Sequence, residues 1–308
     1  MSLAHNNHHH AHGNLTTRAA IASVSMALFL LALKIFAAAE TGSVALLGSL
    51  ADTAFDVLAS LLTLFSVRYA AMPADDDHRF GHGKAEALSA LIQVMLIVIS
   101  ASLIGWRAFV RLGSGEQTEH PEYGIGVSVI AIVATLGLLA YQRYVVKQTG
   151  SVAIHADHVH YQSDLLLNIG VIVAIVLDTI LGVHGADPIF GLGIAVWLLW
   201  GAYKAAQMAL DHLLDREWPV EKRDRFLAVA NRHPEMNTIH DVRTRSSGMH
   251  DFVQFHVWFD PSKTLGEVHA IMDEVEEELE REFPGVEVII HPEPDNHTHG
   301  HIHEHEKP

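Results

Sequence analysis

Long apolar runs separated by short polar segments make up the first two thirds of the chain. A membrane-spanning helix needs about 20 mostly apolar residues, and six runs reach that length. These runs are Leu15–Ala39, Ser43–Ala70, Ala85–Leu112, Tyr123–Val146, Val152–Leu181 and Pro188–Leu210. The pattern therefore predicts an α-helical membrane protein with six transmembrane helices within residues 15–211.

The pattern changes after residue 211, where apolar residues become sparser and acidic residues more frequent. Two segments have helical periodicity and three have the alternation of strands. In chain order they are Pro219–His233 (helix), His240–Arg245 and Phe252–Phe259 (strands), Thr264–Phe283 (helix) and Gly285–His291 (strand). The order αββαβ predicts a small α+β domain over residues 212–294. The His-rich ends, residues 1–14 and 295–308, are expected to be disordered.

The short connections predict the orientation of the helices, because Lys and Arg concentrate in cytoplasmic loops. Basic residues lie at the start of the first span, in or beside the second and fourth loops and after the sixth span. They are Arg18, Arg68, Arg79, Lys84, Arg143, Lys147 and Arg216. The first and fifth loops have no Lys or Arg. Both termini and the α+β domain are therefore expected on the cytoplasmic side.

The amino-acid composition limits which partners and which metal ligands are possible. The 308 residues include 24 His and no Cys, and the formal net charge is −16. A surplus of acid repels phosphates, so nucleic acid is not an expected partner. Without Cys, neither disulfides nor thiolate metal sites can form, and His with Asp or Glu is the strong ligand set that is left.

Two pairs of ionisable residues lie inside predicted spans. Asp52 and Asp56 are four residues apart in the second span, as are His160 and Asp164 in the fifth. That spacing places both members of a pair on one helix face. Ionisable groups are rare in the bilayer and mark ion pathways. Three carboxylates and one imidazole suit Zn²⁺, Cd²⁺, Fe²⁺, Co²⁺ or Mn²⁺. The alternative is that the carboxylates belong to buried polar networks or face an aqueous helix end.

The second connection holds Asp75, His78 and His82. Gly81 and Gly83 permit turns that bring these side chains together, so three protein ligands and a water are one interpretation. A polar loop whose histidines are simply solvated is the other, and spacing alone does not separate them.

A third set is spread over the predicted α+β domain. It consists of His240, His256, His269 and His291, with Glu293 after the last. Packed elements can gather such residues, but single surface histidines are ordinary, and from the residues alone the ordinary interpretation is favoured.

Taken together, these segments resemble the cation diffusion facilitator family, and in particular its bacterial zinc and ferrous-iron efflux branch. The likeness runs from Arg18 to Pro294. It rests on GSVALLGSLADTAFDVLAS, PADDDHRFGHGKAEAL, HADHVHYQSDLLLN, LLDRE, HDVRTRSSG and VIIHPEP.

The resemblance implies a homodimer in the bacterial inner membrane that exchanges a divalent metal for protons. It implies a transport site at Asp52, Asp56, His160 and Asp164, a loop site at Asp75, His78 and His82, and a domain-interface site at His240, His256, His269, His291 and Glu293. A structural salt bridge is implied between Lys84 and Asp215. One departure is that Pro292–Glu293 stands where relatives carry Gln and Asp.

The function expected from this sequence is efflux of Zn²⁺ by metal/proton antiport, with regulatory metal sites in the α+β domain. Efflux of Fe²⁺, Cd²⁺, Co²⁺ or Mn²⁺ by the same mechanism stays open, as does a membrane metal sensor that does not transport. An enzyme is not expected. A metalloprotease helix would carry HExxH, and His303–Glu306 lacks the second His at the required spacing.

Overall fold

A computed structural model of the chain describes residues 3–41, 44–114, 122–181, 186–248 and 250–295. The described chain divides into two compact units, one formed by residues 9–214 and the other by residues 3–8 and 215–295. The two units have different kinds of core, because the first is built from long apolar helices and the second from a small sheet with helices.

Six long helices come first in the described chain. They are α1 (Leu3–Thr41), α2 (Val44–Ala70), α3 (Ala85–Ser114), α4 (Glu122–Thr149), α5 (Val152–Leu181) and α6 (Ala186–Leu213). Within the described residues, five of them contain a stretch long and apolar enough to cross a membrane, and α5 is not among the five. The first half of α5 carries His160 and Asp164, and its side chains beyond residue 173 lie outside the described part of the chain.

Helix α1 starts earlier than the sequence analysis predicted. It begins at Leu3, so most of the segment expected to be disordered before residue 15 has helical backbone. That segment contains no proline, so no residue removes a backbone hydrogen bond or blocks the extension of the helix toward the N-terminus.

Helix α5 occupies a central place in the membrane unit, since it contacts α2, α3, α4 and α6. Small residues allow the neighbouring α3 and α6 to approach closely. A Cβ atom added at Gly191 of α6 would lie 3.1 Å from the Cβ of Ala108 on α3. Large apolar side chains such as Phe65 and Trp106 are exposed on the outside of the unit, as expected for helices that face lipid.

The second unit contains α7 (Val220–Ala230), a 3₁₀ turn (Pro234–Met236), β1 (His240–Ser247), β2 (His250–Phe259), α8 (Leu265–Glu282) and β3 (Val286–Pro294). Strand β2 is central, antiparallel to β1 and parallel to β3. Helix α8 supplies the crossover that a parallel pair of strands requires. It begins at a capping box formed by Thr264 and Glu267.

Alternation along β2 and β3 decides which residues enter the core of this unit, because successive strand side chains point to opposite faces. Phe255 of β2 and Ile290 of β3 are buried with Phe226 of α7 and Leu279 of α8. The helices therefore cover one face of the sheet. The two units confirm the predicted fold class, a helical membrane domain followed by a small α+β domain.

Candidate metal sites

The contact between α2 and α5 brings three of the four predicted transmembrane ligands together. The Nε2 atom of His160 lies 3.2 Å from Oδ1 of Asp56 and 3.9 Å from Oδ2 of Asp164. One ligand atom from each of these residues lies within 4.8 Å of the other two. The three side chains are only 15–25% exposed. Two carboxylates and an imidazole thus share one largely dehydrated location.

The fourth predicted ligand, Asp52, is on α2 one turn before Asp56. Its side chain lies outside the described residues, so its contribution to this site stays a prediction.

The ring nitrogen of His160 has a property that suits a cation site. Nε2 is buried and lies close to carboxylate oxygens of both Asp56 and Asp164. A buried imidazole nitrogen between two carboxylates can bind a cation in place of a proton, which indicates a ligand position. The donor set of one nitrogen and several oxygens can bind a divalent metal of borderline or hard character.

The loop between α2 and α3 gathers Asp75, His78 and His82. Oδ1 of Asp75 is 3.3 Å from Nδ1 of His78, and its Oδ2 is 3.3 Å from Nε2 of His82. Gly81 makes the reversal possible with a φ of 75°. The backbone N–H of His78 donates to Asp75 over 2.6 Å, and this hydrogen bond is the main reason that the pKa of the Asp75 carboxyl is lowered.

His82 is anchored while its two partners in the loop are exposed. It is 5% exposed, and its ring lies edge-on to Tyr69 with 4.6 Å between centroids. Three possible ligand atoms of the loop lie within 4.8 Å of one another. The structure therefore forms the predicted group from one buried histidine and two solvent-accessible residues.

Strand register forms the third group, on the sheet face opposite the helices. His240 pairs with His256 across the antiparallel ladder, and the parallel ladder pairs His256 with His291 and Trp258 with Glu293. These side chains thus point to one face in two adjacent rows. The register explains how residues more than fifty positions apart meet.

Glu293 is the centre of this group. Its Oε1 lies 2.8 Å from Nδ1 of His256, its Oε2 lies 3.4 Å from Nε2 of His240, and Nε2 of His291 is 3.8 Å from Oε1. Trp258 Nε1–H donates to Oε2 over 3.2 Å. The hydrogen bond with His256 is the largest cause of the lowered pKa of Glu293. The glutamate that replaces the expected aspartate therefore reaches two histidines.

His269 is not brought to this group within the described residues. It lies on α8 with 71% of its side chain exposed, and its Nε2 is 3.7 Å from Asp273 one turn away. Helix α8 packs on the core face of the sheet through Val268, whereas Glu293 lies on the open face. The two residues are thus in different layers of the domain, and a shared site stays a prediction.

The predicted salt bridge between Lys84 and Asp215 would join the two units. Within the membrane unit, Lys84 Nζ donates to the backbone carbonyl of Leu213 over 3.3 Å. Within the second unit, Asp215 lies 3.9 Å from Arg245. The bridge itself stays a prediction.

Sequence reasoning missed a buried acid near the transmembrane group. Asp157 lies on α5 three residues before His160, fully buried, and Gln142 Nε2 donates to its Oδ2 over 2.7 Å. The spacing was available as a signal, since residues three apart share a helix face.

The membrane helices and the acidic and imidazole donors inside them define a membrane protein that handles cations. Comparison with known families agrees: residues 20–214 match the cation efflux transmembrane domain and residues 218–295 match the cation efflux protein cytoplasmic domain, a dimerisation module. The chain belongs to the cation efflux family, whose members are cation transporters and not enzymes. The predicted family, transporter class and homodimer are thereby confirmed.

Close relatives are similar over nearly the whole chain. The cation-efflux pump FieF of Salmonella arizonae is 42% identical over 283 residues, which cover 92% of this chain and 94% of the relative. FieF of Klebsiella pneumoniae is 43% identical over 284 residues, with the same coverage. A solved structure of CzrB in its zinc form is 31% identical over 26% of this chain and 93% of that chain, with a TM-score of 0.25.

Proposed function

We propose that this cation efflux transporter exports divalent metal ions, Zn²⁺ foremost, in exchange for protons by alternating access. The cation is held by Asp52, Asp56, His160 and Asp164. The observation that supports this proposal is the largely dehydrated meeting of His160 Nε2 with the carboxylates of Asp56 and Asp164. These donors come from α2 and α5, so a relative movement of the two helices changes how the cation is held.

The donor chemistry supports zinc as the preferred cargo. Zn²⁺ accepts imidazole nitrogen and carboxylate oxygen in tetrahedral sites, whereas Mg²⁺ and Mn²⁺ favour oxygen ligands. The same donors accommodate Fe²⁺, Cd²⁺ and Co²⁺, and these ions are the further cargoes that we propose. The name of the FieF relatives, a cation-efflux pump, is compatible with this range.

Exchange for protons follows from the chemistry of the ligands. Metal binding needs a neutral imidazole and ionised carboxylates, so it displaces protons from His160 and its acidic partners. Protons that return from the opposite side compete with the metal for the same atoms and release it. The proposed orientation, with both termini in the cytoplasm of a bacterial inner membrane, makes this cycle an efflux cycle.

Regulatory metal is proposed for the loop and for the domain of residues 212–294. The donors fit: Glu293 lies between His240 and His256 with one further histidine at 3.8 Å, and Asp75 lies 3.3 Å from each of two histidines. His269 from a second protomer is the proposed additional ligand. A metal ion bound at either group would attract the carboxylates and hold the histidines beside them. The Lys84–Asp215 salt bridge is proposed to link the membrane unit to the C-terminal domain.

Transport by purified protein in proteoliposomes with a set pH gradient tests the main proposal. We expect Zn²⁺ and Cd²⁺ to accumulate inside vesicles when the interior is acidic, with Mn²⁺ and Mg²⁺ transported at least about tenfold more slowly. Accumulation should collapse when a protonophore removes the gradient. Metal that binds without accumulating would identify a sensor and contradict the proposal.

A second prediction concerns Glu293→Gln. Replacing a carboxylate ligand by an amide should weaken zinc retention in the C-terminal domain by about tenfold or more. The lowered pKa of Glu293 means that its stabilising contribution is present above its unfolded pKa and is lost only as the pH falls through the lowered value. Zinc retained by the full-length protein at neutral pH, at fixed free zinc, measures the effect.

Glu287→Gln is the matched control, because Glu287 is an exposed acid on the same strand and the same face. It should retain zinc as the wild type does. Equal retention by both variants would remove Glu293 from the proposed ligands.

A further inference from the structure

A carboxyl group outside the proposed ligand set is fully buried beside the transport site. Asp157 of α5 has no exposed surface, and its Oδ1 atom has no hydrogen-bond partner. Gln142 of α4 donates through Nε2 to Oδ2 of Asp157 over 2.7 Å and to Ser23 Oγ of α1 over 3.0 Å. The amide oxygen of Gln142 is likewise buried without a partner. Two acceptor oxygens in this network thus lack a donor.

Among the described residues around Asp157, the one group that can carry positive charge is His160. Ser23 of α1 and Thr63 of α2 face the carboxyl and are neutral, as is Gln142. The titratable neighbours, His160, Tyr161 and Asp164, lie on α5 itself.

The two of these neighbours that can donate a hydrogen bond, His160 and Tyr161, are engaged elsewhere. Nε2 of His160 lies 3.2 Å from Asp56, and the hydroxyl of Tyr161 donates to the backbone carbonyl of Ser23 over 2.8 Å. A fully buried carboxylate among mostly neutral groups carries a large desolvation cost. A carboxylic acid avoids that cost, and its O–H is a donor of the kind that the buried amide oxygen of Gln142 lacks.

We propose that Asp157 is a proton-carrying residue of the transport cycle, protonated when the site is empty and ionised when a divalent cation is bound. This inference rests on the proposed metal/proton exchange. Asp157 is less than one helical turn from His160, so a cation at His160 brings positive charge next to the buried carboxyl. The O–H bond then breaks, its electron pair stays on the carboxylate, and the proton leaves to water on the side to which the site is open.

The reverse step restores the starting state. When the cation departs on the other side of the membrane, the carboxylate takes one proton from water on that side. Asp157 therefore adds one proton per cycle to those displaced from the metal ligands, and it does so without contacting the metal.

Zinc-dependent proton release by full-length protein tests this proposal. Asp157→Asn keeps the size of the side chain and can exchange hydrogen bonds with both amide atoms of Gln142, so the fold should persist. At equal zinc occupancy, in weakly buffered solution with a pH indicator, Asp157→Asn should release about one proton fewer per protomer than the wild type. Asp157→Glu should restore the wild-type count, and Asp76→Asn, whose acid is 95% exposed, should leave it unchanged.

An unchanged count in Asp157→Asn, with zinc still bound, overturns the role of Asp157. If Asp157→Asn does not fold, infrared difference spectroscopy of the wild type gives the answer: zinc should remove a protonated-carboxyl carbonyl band, and Asp157→Glu should shift that band. A spectrum without such a loss overturns the proposal. A wild type that binds zinc without releasing protons would instead overturn the proposed exchange itself, so the two failures are distinguishable.

Discussion

Asp56→Asn should reduce zinc transport by about a hundredfold or more, the largest loss expected from a single side chain. Oδ1 of Asp56 lies 3.2 Å from the buried Nε2 of His160, and Asp56 is the proposed α2 ligand whose side chain the structure describes. Asparagine keeps the shape but removes the charge that offsets the desolvation of a divalent ion. The initial rate of Zn²⁺ uptake into proteoliposomes under a fixed pH gradient measures the effect.

Asp76→Asn is the control for Asp56→Asn. Asp76 is an acid on the same polypeptide that is 95% exposed and pairs with Arg79 at 2.9 Å, a surface contact of small energetic value. Its uptake rate should equal that of the wild type. A wild-type rate in Asp56→Asn, with protein amount and orientation matched, would show that the cation is held elsewhere.

The transmembrane pairs were predictable because helical periodicity and the cost of buried charge act within one helix. Residues four apart, such as His160 and Asp164, share a face whatever surrounds the helix. That α2 and α5 are neighbours is a property of packing between helices, which periodicity does not contain. The sequence alone therefore indicated two half-sites, and their meeting depended on the resemblance to a family.

The group around Glu293 in the C-terminal domain shows a different limit of prediction from sequence. Alternation placed His256 and His291 on strands, but the register between strands decides whether they are opposite each other. The pairing of Trp258 with Glu293 sets the position of the carboxylate, and the longer glutamate side chain then reaches His256 at 2.8 Å. His269 is also a histidine, but no strand register fixes its position, and it lies in the helix layer instead.

Buried polar networks were the least predictable feature. Asp157 follows the same spacing rule as the proposed ligands, yet its partner Gln142 lies on another helix, in a stretch that reads as an ordinary polar helix end. The helical backbone from Leu3 was missed for a related reason: His-rich composition predicts disorder, while the backbone itself contains nothing that ends a helix there. Composition and periodicity report average preferences, and individual contacts override them.

His160→Asp should change which metal is transported. The substitution converts a mixed nitrogen and oxygen site into an all-oxygen site, which Mn²⁺ accepts and which loses the imidazole that favours Zn²⁺. We expect the ratio of Mn²⁺ to Zn²⁺ initial rates to rise by about tenfold or more. Uptake of both ions, each measured alone and then in competition, checks this result.

His160→Asn separates the effect of the new carboxylate from the loss of the old ring. It removes the imidazole without adding charge, so uptake of both metals should fall, Zn²⁺ more than Mn²⁺, and the Mn²⁺ to Zn²⁺ ratio should rise less than in His160→Asp. Because Asp164 and Asp56 lie beside the ring in both variants, a higher ratio in both would identify the nitrogen of His160 as the source of zinc preference, whereas a rise only in His160→Asp would assign it to the new carboxylate. An unchanged metal order in His160→Asp would mean that the geometry of the α2–α5 contact, and not the nitrogen donor, selects the ion.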